Sequence, residues 1–398
     1  MLALAVFVVW RFVRPMNIFT VAKSFERPVV TATLPAGIDN LRAESCGKCH
    51  AEFYDEWRTS IHARAWTEPY FQVDWRHDRA QQICKNCHTP LDTQQEQRVL
   101  GFRDSDKFDP ILAPNPDFDP VQQQQGVSCA GCHVRDGKIL GPYGNTKAPH
   151  PVRRMKDPNE ICMPCHLVPG QRWDTFFRMP PCGTVAEIRA VDNNAPSGEH
   201  NAEAAIGHTR EVLVSRGELK CVTCHMPAID RPLTSNGPVR ASRRHLWRGG
   251  HDPAMVRQAL QGQFERQPDT GQDAHVTLTL TNVGAAHFLP TGTPDRHLSV
   301  TLRLLDAQGH VLDTQQHLLK RTLLWRPVII DLRDTRLPRW QPRKFDYSFS
   351  RQHYPQATAV DVEVRYHLLT EKQRVKIGFQ NTTPIDYPVY QARLSVTE

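Results

Sequence analysis

The sequence predicts a mainly α, loop-rich region followed by an all-β sandwich domain, and three observations predict it. A Cys-x-x-Cys-His pattern occurs five times between Cys46 and His225 and nowhere else. The 398-residue chain is only 39% hydrophobic, with 23% charged residues and a mean hydropathy of −0.51, which is a thin apolar supply for its length. From Ala274 onwards no cysteine appears and apolar residues alternate with polar ones in short runs.

The five copies are Cys46/Cys49/His50, Cys84/Cys87/His88, Cys129/Cys132/His133, Cys162/Cys165/His166 and Cys221/Cys224/His225, numbered below as the first to fifth sites. Two thiols separated by two residues can add across the two vinyl groups of one porphyrin, and the adjacent His then faces the iron. With 11 Cys and 19 His in 398 residues, chance gives about 0.014 occurrences of the pattern. Zinc would use the thiols in pairs of pairs and would not require a His after every second cysteine. Five covalently attached haem c groups are therefore expected, with His50, His88, His133, His166 and His225 as proximal iron ligands. Five porphyrins also bring apolar faces of their own, so the region from Cys46 to about His251 is expected to be a haem-filled scaffold without a conventional core.

Ten of the eleven cysteines are consumed by the motifs, which leaves Cys182 alone and argues against a disulfide framework. Covalent haem attachment takes place outside the cytoplasm, so a periplasmic or cell-surface location is expected. The net charge of +7 is offset by haem propionates, and no nucleic-acid partner follows from it. Met1 to Trp10 is wholly apolar but too short to span, and Arg11, Arg14 and Pro15 interrupt its extension. The positive charges follow the apolar run, where a signal peptide carries them first. Residues 1–23 are read as an export or membrane-anchor segment at the inner membrane; a start placed too late and a buried N-terminal strand are the alternatives.

Taken in order, residues 24–43 carry Pro28, Pro35 and Gly37 without periodicity and read as a linker. Residues 44–268 form the expected pentahaem domain. After His50, the residues Phe53, Tyr54, Trp57 and Ile61 recur at helical spacing, which predicts a helix of about three turns with an aromatic stripe. His62 ends the stripe beside Ser60, Ala63 and Ala65, where a ring can approach an iron as a second axial ligand. The stretch from the second site to Gln125, with its prolines and a run of four glutamines, shows no chemistry. His150, between two prolines, is the candidate ligand downstream of the third site, or else a solvent-exposed loop His. A helix is expected to start at Asp157-Pro158 before the fourth site. Beyond it Trp173, Phe176 and Phe177 can cover a haem face, with Met179 as a thioether candidate and Cys182 a buried thiol. His200 and His208 are weaker ligand candidates. After the fifth site, His245 and His251 bracket a Gly pair, and at least one should bind iron, with His245 slightly preferred.

Residues 269–398 read as a β-sandwich of immunoglobulin-like size, with strands at 275–280, 298–305, 360–366 and 389–396. The segment Asn282 to Gly292 places His287 on a tight loop between two strands, where it can reach across to a haem.

Cys46-Gly47-Lys48-Cys49-His50 with Trp57, Ser60, His62 and Ala63 resembles the opening of a multihaem cytochrome c, the tetrahaem cytochrome c that partners hydroxylamine oxidoreductase. Gly126 to His133 resembles its third site and Ile161 to Leu167 its fourth, so the resemblance covers roughly residues 44 to 167. It implies that His62 and His150 serve as distal ligands. The fifth site is similar to one in longer relatives, and the Gly284 to Gly292 loop looks like one in β-rich domains of multihaem cytochromes, which implies a ligand role for His287. The tetrahaem relative has four sites and no β-domain, so its catalytic and partner relations do not transfer whole.

Five haems within about two hundred residues must lie close together, and closely packed haems conduct electrons. Electron transfer through bis-His haems is the leading expectation, with redox partner proteins such as other cytochromes or a quinol-linked donor. The rival reading is an oxidoreductase acting on a small nitrogen or sulfur compound at a haem with an open position; a carrier is expected in preference to a catalyst. The β-domain is compatible with partner docking or with oligomer formation in either case.

Overall fold

The computed structural model describes residues 2–13, 26–103, 107–144, 147–166, 175–176, 183–188, 221–324 and 329–397. Its N-terminal region carries helices α1 (Leu2–Val13), α2 (Ala43–Gly47), α3 (Ala51–Trp57), α4 (Pro69–His77), α5 (Gln82–His88), α6 (Pro120–Gln123), α7 (Cys129–His133), α8 (Asn159–His166), α9 (Cys221–His225) and α10 (Pro253–Ala259). Between them run short strands: β1 (Gln97–Phe102) with β2 (Pro110–Pro114), β3 (Val134–Arg135), β4 (Lys138–Gly141) and β5 (Val152–Arg154) in one sheet, β6 (Thr175–Phe176), and β7 (Ala228–Pro232) with β8 (Val239–Arg243).

Four of the five motifs end a helix at their His, in α5, α7, α8 and α9. Helical spacing of i, i+3 and i+4 puts both thiols and the imidazole on one face, which is why the motif folds as a helical turn. The first motif differs, with Cys46 in α2 and His50 at the N-cap of α3. The helix after His50 stops at Trp57, short of the expected three turns, because the chain tightens at Ser60, which is 3% exposed and accepts from Ala63 N through Oγ at 3.3 Å. Helix starts follow the cap-plus-proline signal: Glu68, Asp119 and Asp252 each cap a helix whose first residue is proline.

The glutamine run, in which the sequence shows no chemistry, is a buried polar brace. Gln122, Gln123 and Gln125 are all buried; Gln125 Nε2 donates to Glu44 at 2.6 Å, and its Oε1 accepts from Ala43 N at 2.8 Å. Gln94 Nε2 donates to the carbonyls of Gln122 and Gly126 at 2.8 and 2.7 Å. The apolar cluster here is small, made of Leu41, Leu91, Ala130 and Val134. Polar brackets position the loops of this region where side-chain packing is sparse.

The β-rich region comprises β9 (Leu260–Thr270), β10 (Asp273–Asn282), β11 (His297–Asp306), β12 (Val311–Leu319), β13 (Arg321–Leu324), β14 (Ile329–Asp334), β15 (Arg343–Ser350), β16 (Ala357–His367), α11 (Glu371–Ile377) and β17 (Asp386–Ser395). A three-stranded sheet, β15-β10-β9, and a four-stranded sheet, β12-β11-β16-β17, are both antiparallel. Alternate residues of both enter one core, including Val276, Leu278, Leu280, Leu298, Val300, Leu302, Val362 and Val364. The expected boundary at 269 falls inside β9, so the sheet begins at Leu260.

The apolar N-terminus is a 12-residue helix with Leu2, Leu4, Val6 and Val9 exposed. No helix among the described residues is long and apolar enough to cross a membrane. The remainder of the expected anchor segment, from residue 14 to 23, lies outside the described residues, as do Trp173, Phe177, Met179, Cys182, His200 and His208.

Within the β-region, His297 and His367 stack at 4.3 Å with planes 3° apart. Burial lowers both imidazoles, His367 to about 4 with the His297 charge as the next cause, while Asp386 opposes the shift. A folded pKa below the unfolded value of about 6.5 means the unfolded chain takes protons first, so stability is lost as pH falls from about 6.5 towards 4. His367 is expected to make the protein about 2 kcal/mol less stable at pH 5 than at pH 7. Denaturant titrations of wild type and His367→Gln at both pH values check this, with the variant showing the smaller pH dependence.

Candidate haem sites

Four motif histidines have Nδ1 tied to a backbone carbonyl. His50 donates to Leu233 O at 2.6 Å, His88 to Ala65 O at 2.5 Å, His133 to Leu140 O at 2.6 Å and His225 to Arg248 O at 2.6 Å. A carbonyl can only accept, so the proton sits on Nδ1 and Nε2 is left with a free lone pair, the tautomer a metal requires. Leu140 O is seven residues from His133, whereas the other three carbonyls lie 23 to 183 residues from their histidines, where no motif reading can identify them.

Each of four motif imidazoles faces a second imidazole. Ring centroids are 6.5 Å apart for His50 and His150, 6.4 Å for His166 and His62, 6.1 Å for His133 and His245, and 6.4 Å for His225 and His287. Interplanar angles are 50°, 58°, 25° and 12° in the same order. Metal–nitrogen bonds of about 2 Å on each side, plus about 1 Å from each nitrogen to its ring centre, put two axial imidazoles about 6 Å apart. The residues present therefore fit an iron between each pair. Burial lowers His62 to about 3 and His88, His245 and His287 to about 4, which holds these rings neutral at pH 7, the form that can ligate.

The facing rings are carried by different devices. His245 donates through Nδ1 to Arg243 O at 2.9 Å and meets Phe53 edge-on at 5.0 Å. His287 sits on the β10–β11 loop, where fully buried Asn282 donates to His287 O at 2.8 Å and accepts from Ala285 N at 3.0 Å. Behind that loop Arg336 lies over the Phe288 ring at 5.1 Å and bonds Glu187 at 2.6 Å and Pro290 O at 3.2 Å. His62 and His150 have buried Nδ1 atoms without a hydrogen-bond partner.

The second site is different. Phe71 of α4 stacks flat on His88 at 3.6 Å with planes 7° apart, and no imidazole faces His88 among the described residues. Trp66 and Trp75 pack beside it, with Lys85 Nζ over both rings at 5.7 and 5.5 Å. His251, the other His of the bracketing pair, meets Arg296 at 3.3 Å through Nε2 and faces none of the motif histidines among the described residues.

The motif helices contact one another in a fixed order: α2 packs on α7, and α8 packs on both α5 and α9. Thiols of neighbouring motifs lie within hydrogen-bond reach, Cys46 with Cys129, Cys87 with Cys165 and Cys162 with Cys221. Asn159 at the start of α8 accepts from Cys221 N at 3.0 Å. The turn holding His62 reaches three sites: its ring faces His166, its carbonyl accepts from Val127 N beside the third motif at 2.9 Å, and Ala65 O holds His88.

Helical Cys-x-x-Cys-His motifs with facing imidazoles make a scaffold that resembles those of multihaem cytochromes c. Residues 45–109 match the family model described as cytochrome c554 and c-prime. The whole fold is similar to the crystal structure of a penta-heme cytochrome c552 from Thermochromatium tepidum, with a TM-score of 0.62 and 18% identity over 90% of this chain and 100% of that one. A Bacteroides Uniformis beta-glucuronidase overlaps 35% of this chain and 13% of that chain at 11% identity, with a TM-score of 0.17. No curated protein matches the chain.

Proposed function

We propose that this chain is a periplasmic or extracellular electron-transfer protein holding five haem c groups, one at each motif. The observation that carries the reading is the spacing of 6.1 to 6.5 Å between four motif histidines and His150, His62, His245 and His287, which suits bis-His ligation. We assign these as distal ligands of the first, fourth, third and fifth sites respectively, with His251 outside the set. Haem c, when bound, supplies reversible one-electron exchange at iron. The protein contributes the close packing: α2 on α7, and α8 against α5 and α9, support a row from the first site through the third to the fourth, branching there to the second and fifth. The link between the third and fourth sites is supported by the Val127 to His62 bond. The partners are redox proteins, and the exposed Cys49 marks the first site as the outermost thiol of the row.

A second reading is favoured by one observation, the lack of a facing imidazole at His88 among the described residues. An open iron there can take a small nitrogen or sulfur compound and make the protein an oxidoreductase.

Intact mass spectrometry of the purified protein should show five covalent haems, and fewer would overturn the count. Ferric spectra should show four low-spin haems. A fifth, high-spin component that shifts with nitrite, hydroxylamine or cyanide supports the second reading; five low-spin haems that ignore all three leave electron transfer alone.

A further inference from the structure

Between the third and fourth sites stands a residue to which no ligand role belongs. The indole of Trp247 meets the His62 ring edge-on at 5.0 Å and 63°, and the His245 ring at 5.1 Å and 84°. Trp247 also has φ of +42°, a left-handed conformation that a bulky L-residue adopts only when its surroundings impose it, although Gly249 and Gly250 follow closely. Those surroundings are firm. Upstream, the Glu56 carboxylate accepts from His245 N at 2.7 Å and from Arg244 at 3.0 Å; downstream, Arg248 O accepts from His225 at 2.6 Å.

The two imidazoles differ in what else orients them. His245 is held by its Nδ1 bond to Arg243 O and by Phe53. His62 has no hydrogen bond at its buried Nδ1, so packing sets its plane, and apart from the facing His166 ring it is Trp247 that flanks it among the described residues. A side chain packed against a ligating imidazole helps to fix the plane of its ring.

We propose that Trp247 is a positioning residue that sets the planes of the His62 and His245 imidazoles together, and so ties the electronic state of the fourth site to that of the third. This rests on the distal assignments above. The angle between two axial imidazole planes governs the anisotropy of a low-spin ferric EPR signal. Trp247→Leu, which fills space without a ring edge, should move the signal of the fourth site most, that of the third less, and leave the first and fifth unchanged. Trp247→Phe should return both signals towards wild type. If the Leu variant does not accumulate with its haems, Trp247→Gly, which accepts the left-handed backbone, is read in the same way. Signals that stay at wild type, or that all move alike, overturn the proposal. A wild-type protein with fewer than four low-spin signals overturns the distal assignments instead, so the two failures are separable.

Discussion

Replacing His62 with Ala should convert one haem of the ferric protein from low spin to high spin while the number of covalently attached haems stays the same. In the proposed assignment the thioether bonds and the proximal ligand of the fourth site belong to Cys162, Cys165 and His166 on α8, which the substitution does not touch. What is lost is the ring 6.4 Å from His166. The effect should reach further than one spin state, because α8 contacts both α5 and α9 and so lies between the second and fifth sites in the proposed row. Electrons delivered at the first site should equilibrate with the second and fifth at least ten-fold more slowly in the variant, a change equivalent to about 1.4 kcal/mol in barrier. His150→Ala, at the outer end, should create the same spin change and leave exchange among the other four sites intact. Stopped-flow reduction of the two variants separates them; equal slowing in both would count against the branch at the fourth site.

Gly126→Ala should be among the most damaging small substitutions in the chain. Gly126 has φ of +59°, and an added Cβ would stand 2.7 Å from His62 O and 2.9 Å from Ala65 N. Both atoms are backbone, so neither can swing aside. The turn that would have to move carries the His62 ring and the Ala65 carbonyl that fixes His88, and Gly126 O itself accepts from buried Gln94 at 2.7 Å. The left-handed conformation and the collision together should cost about 2–4 kcal/mol of stability. Denaturant unfolding measures that loss, and the absorption spectrum should change at the second and fourth sites before the protein unfolds. A variant with wild-type stability and spectrum would show that the turn yields more easily than this contact allows.

Why were the motifs and strands legible, and so little of the wiring between them? A Cys-x-x-Cys-His motif is local chemistry, and its three side chains share one face of a single helical turn whatever surrounds it. The strands of the β-region were legible for a similar reason, since burial on one face forces a period of two, as in β10 with its alternating buried residues. His62, His150, His245 and His287 could be picked as candidates by their neighbours, yet 104, 112, 100 and 62 positions of chain separate the pairs His62/His166, His133/His245, His50/His150 and His225/His287. Nothing within such intervals says which ring meets which. The glutamine run misleads in the other direction, because its value lies in partners such as Glu44 and Glu96 on distant segments.

By itself, then, the sequence determined where the five Cys-x-x-Cys-His motifs stand, which histidines they place beside their thiols, and that a strand-rich region follows. The tertiary structure alone decided which imidazoles face one another, that none faces His88 among the described residues, the order in which motif helices touch, and the place of Trp247 between two of the rings. The physical reason is one of range. Covalent attachment and helical phase are set within five residues, whereas ring pairing and helix contact depend on how loops close over long separations, held here by buried carbonyls, glutamines and one glutamate.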